Sequence, residues 1–420
     1  MAPYVAAAIF LVTYALIATD RLDKTVAALL GGLLMVVLGI LDPERPFEAV
    51  DLEVIFLLAG MMVLAAVLGQ TGFFQALAIR SVKIAGGRPF ALMAVLSVIT
   101  AALSAFLDNV TTVVLLAPVT LYVAAVLRVN PVPFLIAEIF ASNVGGTATL
   151  IGDPPNILIG TAAGLDFGAF LVNLGPVALV GFALLLVLLR MLFHGSLEVD
   201  PVTRDAVLAL DEREAITNAH LMRRGLAVLA ATIVGFLVLP AFGVGSATVA
   251  LLGATVMLLV GRIAPGEVLR EIEWPTLFFF IGLFLLVAGV VEVGIIDALA
   301  DRLFELTAGH PTATTLGVLW LSGIASAIVD NIPYTATMIP LVEGLGDRGV
   351  PTGPIWWALA LGADFGGNAT IIGASANVVV ANVAARAGHP IGFRTFVRYG
   401  LPVTIALLLL SSGYLLLRYL

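Results

Sequence analysis

The sequence contains no cysteine, which excludes disulfide bonds, thiolate metal sites and thiol redox chemistry. Charged residues are also scarce, at 11% of 420 residues, while hydrophobic residues make up 61% and the mean hydropathy is +1.12. Soluble globular domains carry about 25% charged residues, so this composition excludes that class. Apolar runs long enough to cross a membrane recur along the chain, and the lipid bilayer is the expected partner. We expect no cofactor and no nucleic-acid partner.

Two polar motifs inside the apolar sequence each occur twice. The segment 104–112 returns 222 residues later, and a glycine-rich segment at 143–152 returns 221 residues later. Acids, amides and broken backbone are costly in lipid unless they are buried in protein or line a cavity. Pairs of broken segments in two copies are typical of secondary transporters built from internal repeats.

The apolar runs divide the chain into a first repeat at 1–193, a polar linker at 194–221 and a second repeat at 222–420. The interruptions at the Asp-Asn pairs predict re-entrant hairpins, since the middle of each run lacks turn residues. The fold class is therefore an all-α polytopic membrane protein with ten transmembrane helices and two re-entrant hairpins in two inverted repeats. The predicted hairpins cover about 89–128 and 312–345, the broken spans about 134–163 and 354–386, and the other spans 3–19, 24–41, 53–70, 168–193, 222–240, 245–262, 275–291 and 396–418.

The distribution of Lys and Arg gives an independent prediction of orientation, because basic residues accumulate in cytoplasmic loops. With the N-terminus outside, sixteen Lys and Arg residues fall on the inner side and four on the outer side, namely Arg45, Arg302, Arg348 and Arg418. This asymmetry favours both termini outside and one hairpin opening to each side. Five spans in each half make the second half inverted. We expect the cytoplasmic membrane of a bacterium or archaeon.

The repeated motifs supply the candidate site. Helix ends at a hairpin tip or a broken span leave backbone N–H and C=O groups free to hold a solute or an ion, and paired glycines allow the chain to unwind and approach closely. The predicted coupling acids are Asp108, Asp153, Asp330 and Asp364. The predicted substrate-binding residues are Asn109, Thr111, Thr112, Asn143, Gly145, Gly146, Thr147, Asn331, Gly366, Gly367, Asn368, Thr370 and Asn377.

Structural roles compete with these assignments. Asp108 and Asp330 could cap helix N-termini, and the Asp153-Pro-Pro-Asn string also suits a turn or a cap. The threonines could bond back to their own helices. No Lys, Arg or His lies in the repeated motifs, so a fixed positive charge for an anionic substrate is not evident.

The segments 105–112 and 145–156, with the string Gly-Asp-Pro-Pro-Asn, resemble signatures of the ion transporter superfamily. Within it they resemble arsenical-pump membrane proteins, the melanosomal P protein, sodium/proton antiporters and related bacterial permeases. The resemblance implies an elevator-type transporter, often a homodimer, with both hairpins and both broken spans in a moving transport domain. The resemblance is also compatible with a soluble ATPase as a partner protein. Carboxylate importers of the superfamily resemble the chain less, because their hairpin tips carry Ser-Asn-Thr.

These observations favour a secondary transporter and not an enzyme. The leading hypothesis is export of arsenite and antimonite coupled to proton entry, since neutral As(OH)3 suits amides, hydroxyls and backbone groups. A sodium/proton antiporter using the same aspartates is the alternative, and sodium-coupled carboxylate transport is a weaker one. An intramembrane aspartyl protease with Asp108 and Asp330 as its dyad would not need two additional broken spans.

Overall fold

The computed structural model describes residues 2–19, 21–44, 46–86, 88–193, 212–307 and 309–420. Most of the predicted linker, at 194–211, lies outside the described residues, as do Arg45 and Arg204 of the charge count. A helix begins at Ala219, within the predicted linker and shortly before the predicted start of the second repeat at residue 222.

The described part of the chain is helical and contains no strand. The α-helices of the first repeat are Ala2–Ala18, Lys24–Val37, Leu52–Gln70, Phe73–Ala85, Pro89–Ser104, Asn109–Leu127, Val132–Gly146, Pro154–Ala163, Phe167–Asn173 and Gly175–Leu192. Those of the second repeat are Ala219–Val238, Ser246–Gly261, Pro265–Val268, Trp274–Glu292, Ile295–Thr307, Pro311–Ile328, Asn331–Asp347, Gly353–Gly366, Ser375–Arg386 and Phe393–Arg418. Short 3₁₀ helices occupy Pro46–Ala49, Leu239–Phe242, Gly367–Ala369 and Ile371–Gly373.

Seven of the described helices are long and apolar enough to cross a bilayer, or eight if the bent pair Pro154–Ala163 and Phe167–Asn173 counts as one span. The prediction of ten spans includes five of these seven helices, the two broken spans, and Ala2–Ala18, Lys24–Val37 and Ser246–Gly261, which are apolar but shorter. Asn109–Leu127 and Pro311–Ile328 belong instead to the predicted hairpins. The structure thus shows a multi-pass helical membrane protein, and the number ten remains a prediction.

Two features of the helices differ from expectation. The predicted span 168–193 is broken at Leu174. Pro176 has no backbone N–H to continue the preceding helix, and it lies in the first turn of the new helix that begins at Gly175. In addition, Phe73–Ala85 and Ile295–Thr307 are helices where only connections were expected. Both carry charges along an amphipathic pattern, which a search for apolar runs does not detect.

Four composite elements surround the repeated motifs. The first hairpin consists of Pro89–Ser104 and Asn109–Leu127, and the second of Pro311–Ile328 and Asn331–Asp347. The first broken helix consists of Val132–Gly146 and Pro154–Ala163, and the second of Gly353–Gly366 and Ser375–Arg386. The returning arm of each hairpin packs against the second part of the other repeat's broken helix. The two repeats are therefore interlocked where their polar motifs lie.

The remaining helices of each repeat pair across the molecule. Lys24–Val37 packs along Trp274–Glu292, and Leu52–Gln70 packs along Ser246–Gly261. We call these four helices the scaffold pairs. Each pair therefore consists of one helix from the N-terminal part of the first repeat and one from the N-terminal part of the second.

Candidate functional site

Glycine pairs end the first part of each broken helix by allowing close packing. A Cβ atom on Gly145 would lie 2.3 Å from the carbonyl oxygen of Ala101 in the first hairpin, and one on Gly366 would lie 2.5 Å from that of Gly323 in the second. Gly145, Gly146 and Gly366 remain helical, and the chain unwinds only after them. The α-helix thus ends at each glycine pair, with Gly367 already in a 3₁₀ helix, and the pairs approach the hairpins closely.

Asparagine side chains hold the unwound connections in place. The amide of Asn156 donates to the carbonyl of Thr149 at 3.0 Å, and the amide of Asn377 donates to those of Gly367 and Thr370 at 2.7 and 2.9 Å. Buried backbone carbonyls without a helical partner need such donors. These two asparagines therefore stabilise equivalent breaks in the two repeats.

The threonines beside the breaks also bond to backbone. Thr147 donates to the carbonyl of Asn143 at 2.8 Å, and Thr370 donates to that of Ala327 at 2.7 Å. Thr112 is buried with an unpaired hydroxyl. Thr147 and Thr370 thus have structural partners, whereas Thr112 leaves a polar atom near the first hairpin tip.

Asp153 lies at the centre of the site. Its carboxyl accepts a hydrogen bond from Asn109 of the first hairpin tip at 2.7 Å and one from Asn331 of the second tip at 3.2 Å. It precedes Pro154 but makes no cap hydrogen bond to that helix. Asp153 thus occupies the N-cap position, where its carbonyl accepts from the Asn156 N–H at 3.0 Å, while its side chain is used to link both hairpin tips.

The amide network continues from Asp153 into the second repeat. Asn109 also donates to the side chain of Asn143 at 3.3 Å, and Asn143 donates to those of Asn368 and Asn377 at 3.0 and 3.1 Å. All these residues are almost completely buried. Both hairpin tips and both broken helices thus contribute to one continuous polar cluster.

The tip aspartates act as helix caps. Asp108 accepts from the backbone N–H of Thr111 at 2.8 Å and from the Thr111 hydroxyl, and Asp330 accepts from the N–H of Ile332 at 3.1 Å. These are N-cap contacts that satisfy otherwise unpaired donors. Capping is thus an observed role for both residues, in addition to any role in coupling.

Negative charge converges on Asp153. Asp364, Asp330 and Asp108 each interact with its carboxyl electrostatically, with Asp364 contributing most. Asp364 is completely buried, and Thr147 and Asn156 face its carboxyl without making a hydrogen bond of regular geometry. Repulsion among buried carboxylates requires protons, cations or hydrogen-bond donors to compensate it. The site is therefore suited to take up positive charge.

Other unpaired atoms in the cluster are also mostly acceptors. The side-chain oxygens of Asn109 and Asn156 are buried without a donor, and the side-chain nitrogen of Asn368 is buried without an acceptor. Buried polar atoms in native proteins normally have partners, so such a group marks a place for a ligand, an ion or water. Oxygen atoms are the ligands that hard cations prefer.

A cavity of about 280 Å³ lies beside this cluster, and it brings in residues that the repeated motifs did not indicate. Its polar lining consists of Lys24, Asp108, Glu273, Thr276 and Ser375. The Lys24 ammonium lies 2.6 Å from the Ser375 hydroxyl and 3.8 Å from a carboxyl oxygen of Asp330. A positive charge from outside the repeated motifs therefore lies beside the cluster, which the motifs alone did not indicate. Comparison of the repeats could have singled out Lys24, since Ser246 occupies the equivalent position in the second repeat.

A helical membrane protein whose two repeats interlock around a buried polar cluster belongs to the class of membrane transporters. The solved structure of the YdaH transporter of Alcanivorax borkumensis has a similar fold, with a TM-score of 0.58 at 18% identity over 86% of this chain and 84% of that one.

Sequence comparison narrows the class to a family. Residues 14–362 match the citrate transporter family, and the chain belongs to it. A 46 kDa membrane protein of Mycobacterium leprae is 45% identical over 99% of both chains. An uncharacterized transporter of Mycobacterium tuberculosis is 46% identical over 99% of this chain and 98% of that protein. The human P protein is 32% identical over 99% of this chain and 60% of its own length.

Proposed function

We propose that this protein is a cation-coupled secondary transporter in which Asp153 and Asp364 bind the coupling ion, with the proton as the leading candidate. The observation that carries this proposal is the position of Asp153, a fully buried carboxyl that joins both hairpin tips through hydrogen bonds and lies among three further aspartates, Asp108, Asp330 and Asp364. Uptake of positive charge there would relieve repulsion and change the contacts between the repeats. Binding of ion and substrate would then be linked thermodynamically.

Arsenite and antimonite are the substrates we propose first, exported as protons enter. Their neutral hydroxides match the amides and hydroxyls of the cluster. The Lys24 ammonium is engaged by Ser375 and Asp330, so its charge is compensated in this conformation. An anion such as citrate, suggested by the family's name, would meet four carboxyl groups and is disfavoured.

Sodium/proton antiport is the second candidate, and the unpaired oxygens favour it. Asn109, Asn156 and Asp364 each offer a buried side-chain oxygen without a donor. Carboxylate and amide oxygens of this kind suit a hard cation. In this case the sodium ion would be cargo, and protons would compete with it for the same carboxyl groups.

Flux measurements in proteoliposomes test these alternatives. Purified protein is exposed to an imposed pH gradient with arsenite, sodium or citrate as the labelled solute. We expect gradient-driven arsenite flux, which Asp153→Asn and Asp364→Asn reduce to the level of empty liposomes. Asp166→Asn is the matched control, because Asp166 is an exposed helix cap away from the cluster.

The outcomes separate the candidates. Sodium flux without arsenite flux would establish the antiporter. Full pH-driven transport by both Asp153→Asn and Asp364→Asn would contradict the assignment of the coupling site. Gradient-driven citrate flux would show that the carboxyl groups do not exclude anions.

A further inference from the structure

Lys24 connects two groups of helices that otherwise share few polar contacts. It begins the helix Lys24–Val37, which belongs to the scaffold pairs. Its ammonium contacts Asp330 at the second hairpin tip and Ser375 at the second broken helix. The Phe279 ring, also on a scaffold helix, lies 5.3 Å from the same ammonium and adds a cation–π contact. Contacts with the scaffold helices and with the hairpin and broken helix therefore fix the position of the Lys24 ammonium.

Both carboxyl oxygens of Asp330 have hydrogen-bond or ion-pair partners. One of its oxygens accepts from the N–H of Ile332, and the other accepts from the Ser375 hydroxyl at 2.5 Å and faces Lys24. The Asp330 side chain is only 9% exposed, whereas that of Lys24 is 35% exposed and reaches it from the cavity wall. Solvent partly screens the pair on the Lys24 side, but loss of Lys24 would leave the largely buried Asp330 carboxyl without a cation beside it.

The first repeat has no such arrangement. Asp108 is the counterpart of Asp330, but Ser246 stands where Lys24 would be repeated. Within the described residues, Asp108 forms hydrogen bonds at the tip and no ion pair. Among the described residues, Asp330 interacts with Lys24, Asp153 and Tyr14, and Glu273 on the cavity wall interacts with the same Lys24. Lys24 is the only cation in this group, and it adds positive charge to the hydrogen bonds that Asp330 accepts from Ile332 and Ser375.

We propose that Lys24 is a positioning residue that neutralises Asp330 in the unloaded transporter and thereby prevents this carboxyl from carrying protons across the membrane. The inference rests on the proposed function. A carboxylate moves through lipid only when its charge is compensated. With Lys24 present, the compensating charge belongs to the scaffold and holds the second hairpin in place. Without Lys24, a proton takes over that role and travels with Asp330.

Proton leak without substrate tests this role. Lys24→Met should raise the leak of proteoliposomes by about tenfold, the factor that corresponds to about 1.4 kcal/mol. Lys24→Arg keeps the charge and should stay close to wild type. Lys83→Met is the matched control, since Lys83 pairs with Glu212 away from the cavity.

The double variant Lys24→Met with Asp330→Asn separates proton carriage from simple damage. Residue 330 then has no proton to carry, so the leak should return to within about twofold of wild type. A pore caused by misfolding would persist in the double variant. A persistent leak, or a Lys24→Met leak equal to that of Lys83→Met, would overturn the proposal.

A second measurement does not depend on transport. A single cysteine in place of Thr276, on the cavity wall, reports accessibility in a chain that has no other cysteine. Lys24→Met should change its labelling rate by impermeant maleimide, and Lys83→Met should not. Equal rates in all three proteins would contradict the role of Lys24. Absence of coupled flux in wild type would refute the proposed function, while the leak comparison would still decide the role of Lys24.

Discussion

At the scale of single residues, the four aspartates of the repeated motifs fall into two kinds. Asp108 and Asp330 use carboxyl oxygens to cap helices at the hairpin tips. The Asp153 side chain makes no cap bond and receives amide hydrogen bonds from both repeats, and the Asp364 carboxyl has no hydrogen bond of regular geometry. Capping requires an acceptor but no charge, whereas ion binding requires the carboxylate itself. Substitution by asparagine therefore distinguishes the two roles.

We predict that Asp108→Asn retains its fold and most of its transport, because asparagine caps helices as well as aspartate does. Asp108→Ala should lose about 1 kcal/mol of stability, since the N–H of Thr111 then has no partner. Thermal unfolding in detergent and pH-driven flux measure the two effects, with Asp153→Asn as the comparison. Loss of flux in Asp108→Asn at unchanged stability would assign this residue to coupling.

At the scale of elements, each hairpin and its broken helix meet at a glycine. Gly145 contacts the backbone of Ala101, and Gly366 contacts that of Gly323. Neither contact involves a flexible side chain that could move aside. The same crossing occurs in both repeats, so it sets how closely each hairpin tip approaches the polar cluster.

We predict that Gly145→Ala and Gly366→Ala each lose about 1–3 kcal/mol of stability, or shift the hairpin and lose transport, because the added methyl group overlaps backbone atoms. Gly317→Ala is the matched control on the second hairpin. Its Cβ would meet no atom within 4 Å, and alanine should stabilise that helix by roughly 0.5–1 kcal/mol. Thermal unfolding and flux of the three variants provide the test. Equal stability of Gly366→Ala and Gly317→Ala would show that the crossing is not tightly packed.

The repeated motifs made these elements predictable. The interruptions at Asp108 and Asp330 coincide with the turns between helices, and Asp153-Pro-Pro marks the start of a new helix. Local chemistry determines both, so the sequence suffices. The role of Asp153 was harder to predict from the sequence, because its hydrogen-bond partners Asn109 and Asn331 are distant in the chain.

Lys24 was missed for a similar reason. It lies outside the repeated motifs, and only the packing of the scaffold pairs brings it to Asp330 and Ser375. A search confined to the motifs therefore finds the acids of the site but not the charge that compensates one of them. Departures from repeat symmetry, such as Lys24 against Ser246, are the sequence signal for residues of this kind.

At the scale of the whole molecule, contacts between connecting segments gather at two ends. Thr217 bonds to Thr71, and Gln70 bonds to Glu271, all in segments that the charge count assigns to the inner side. Arg348 pairs with Asp301, and both lie in segments assigned to the outer side. Inversion of the repeats predicts this grouping. The 14 residues of Lys24–Val37 extend about 21 Å, less than a bilayer core of about 30 Å, so whether this helix crosses the membrane is a separate prediction.

Single cysteines at positions 21, 42, 88 and 347 resolve this topology, because the natural chain has none to interfere. If Lys24–Val37 crosses the membrane, positions 21 and 42 react with impermeant maleimide from opposite sides. If the repeats are inverted, positions 88 and 347 also react from opposite sides, with 21 and 88 facing inward. Labelling in right-side-out and inverted vesicles measures both, and the unsubstituted protein gives the background. Labelling of 21 and 42 from one side would make that helix a buried half-span. Labelling of 88 and 347 from one side would refute the inversion of the repeats.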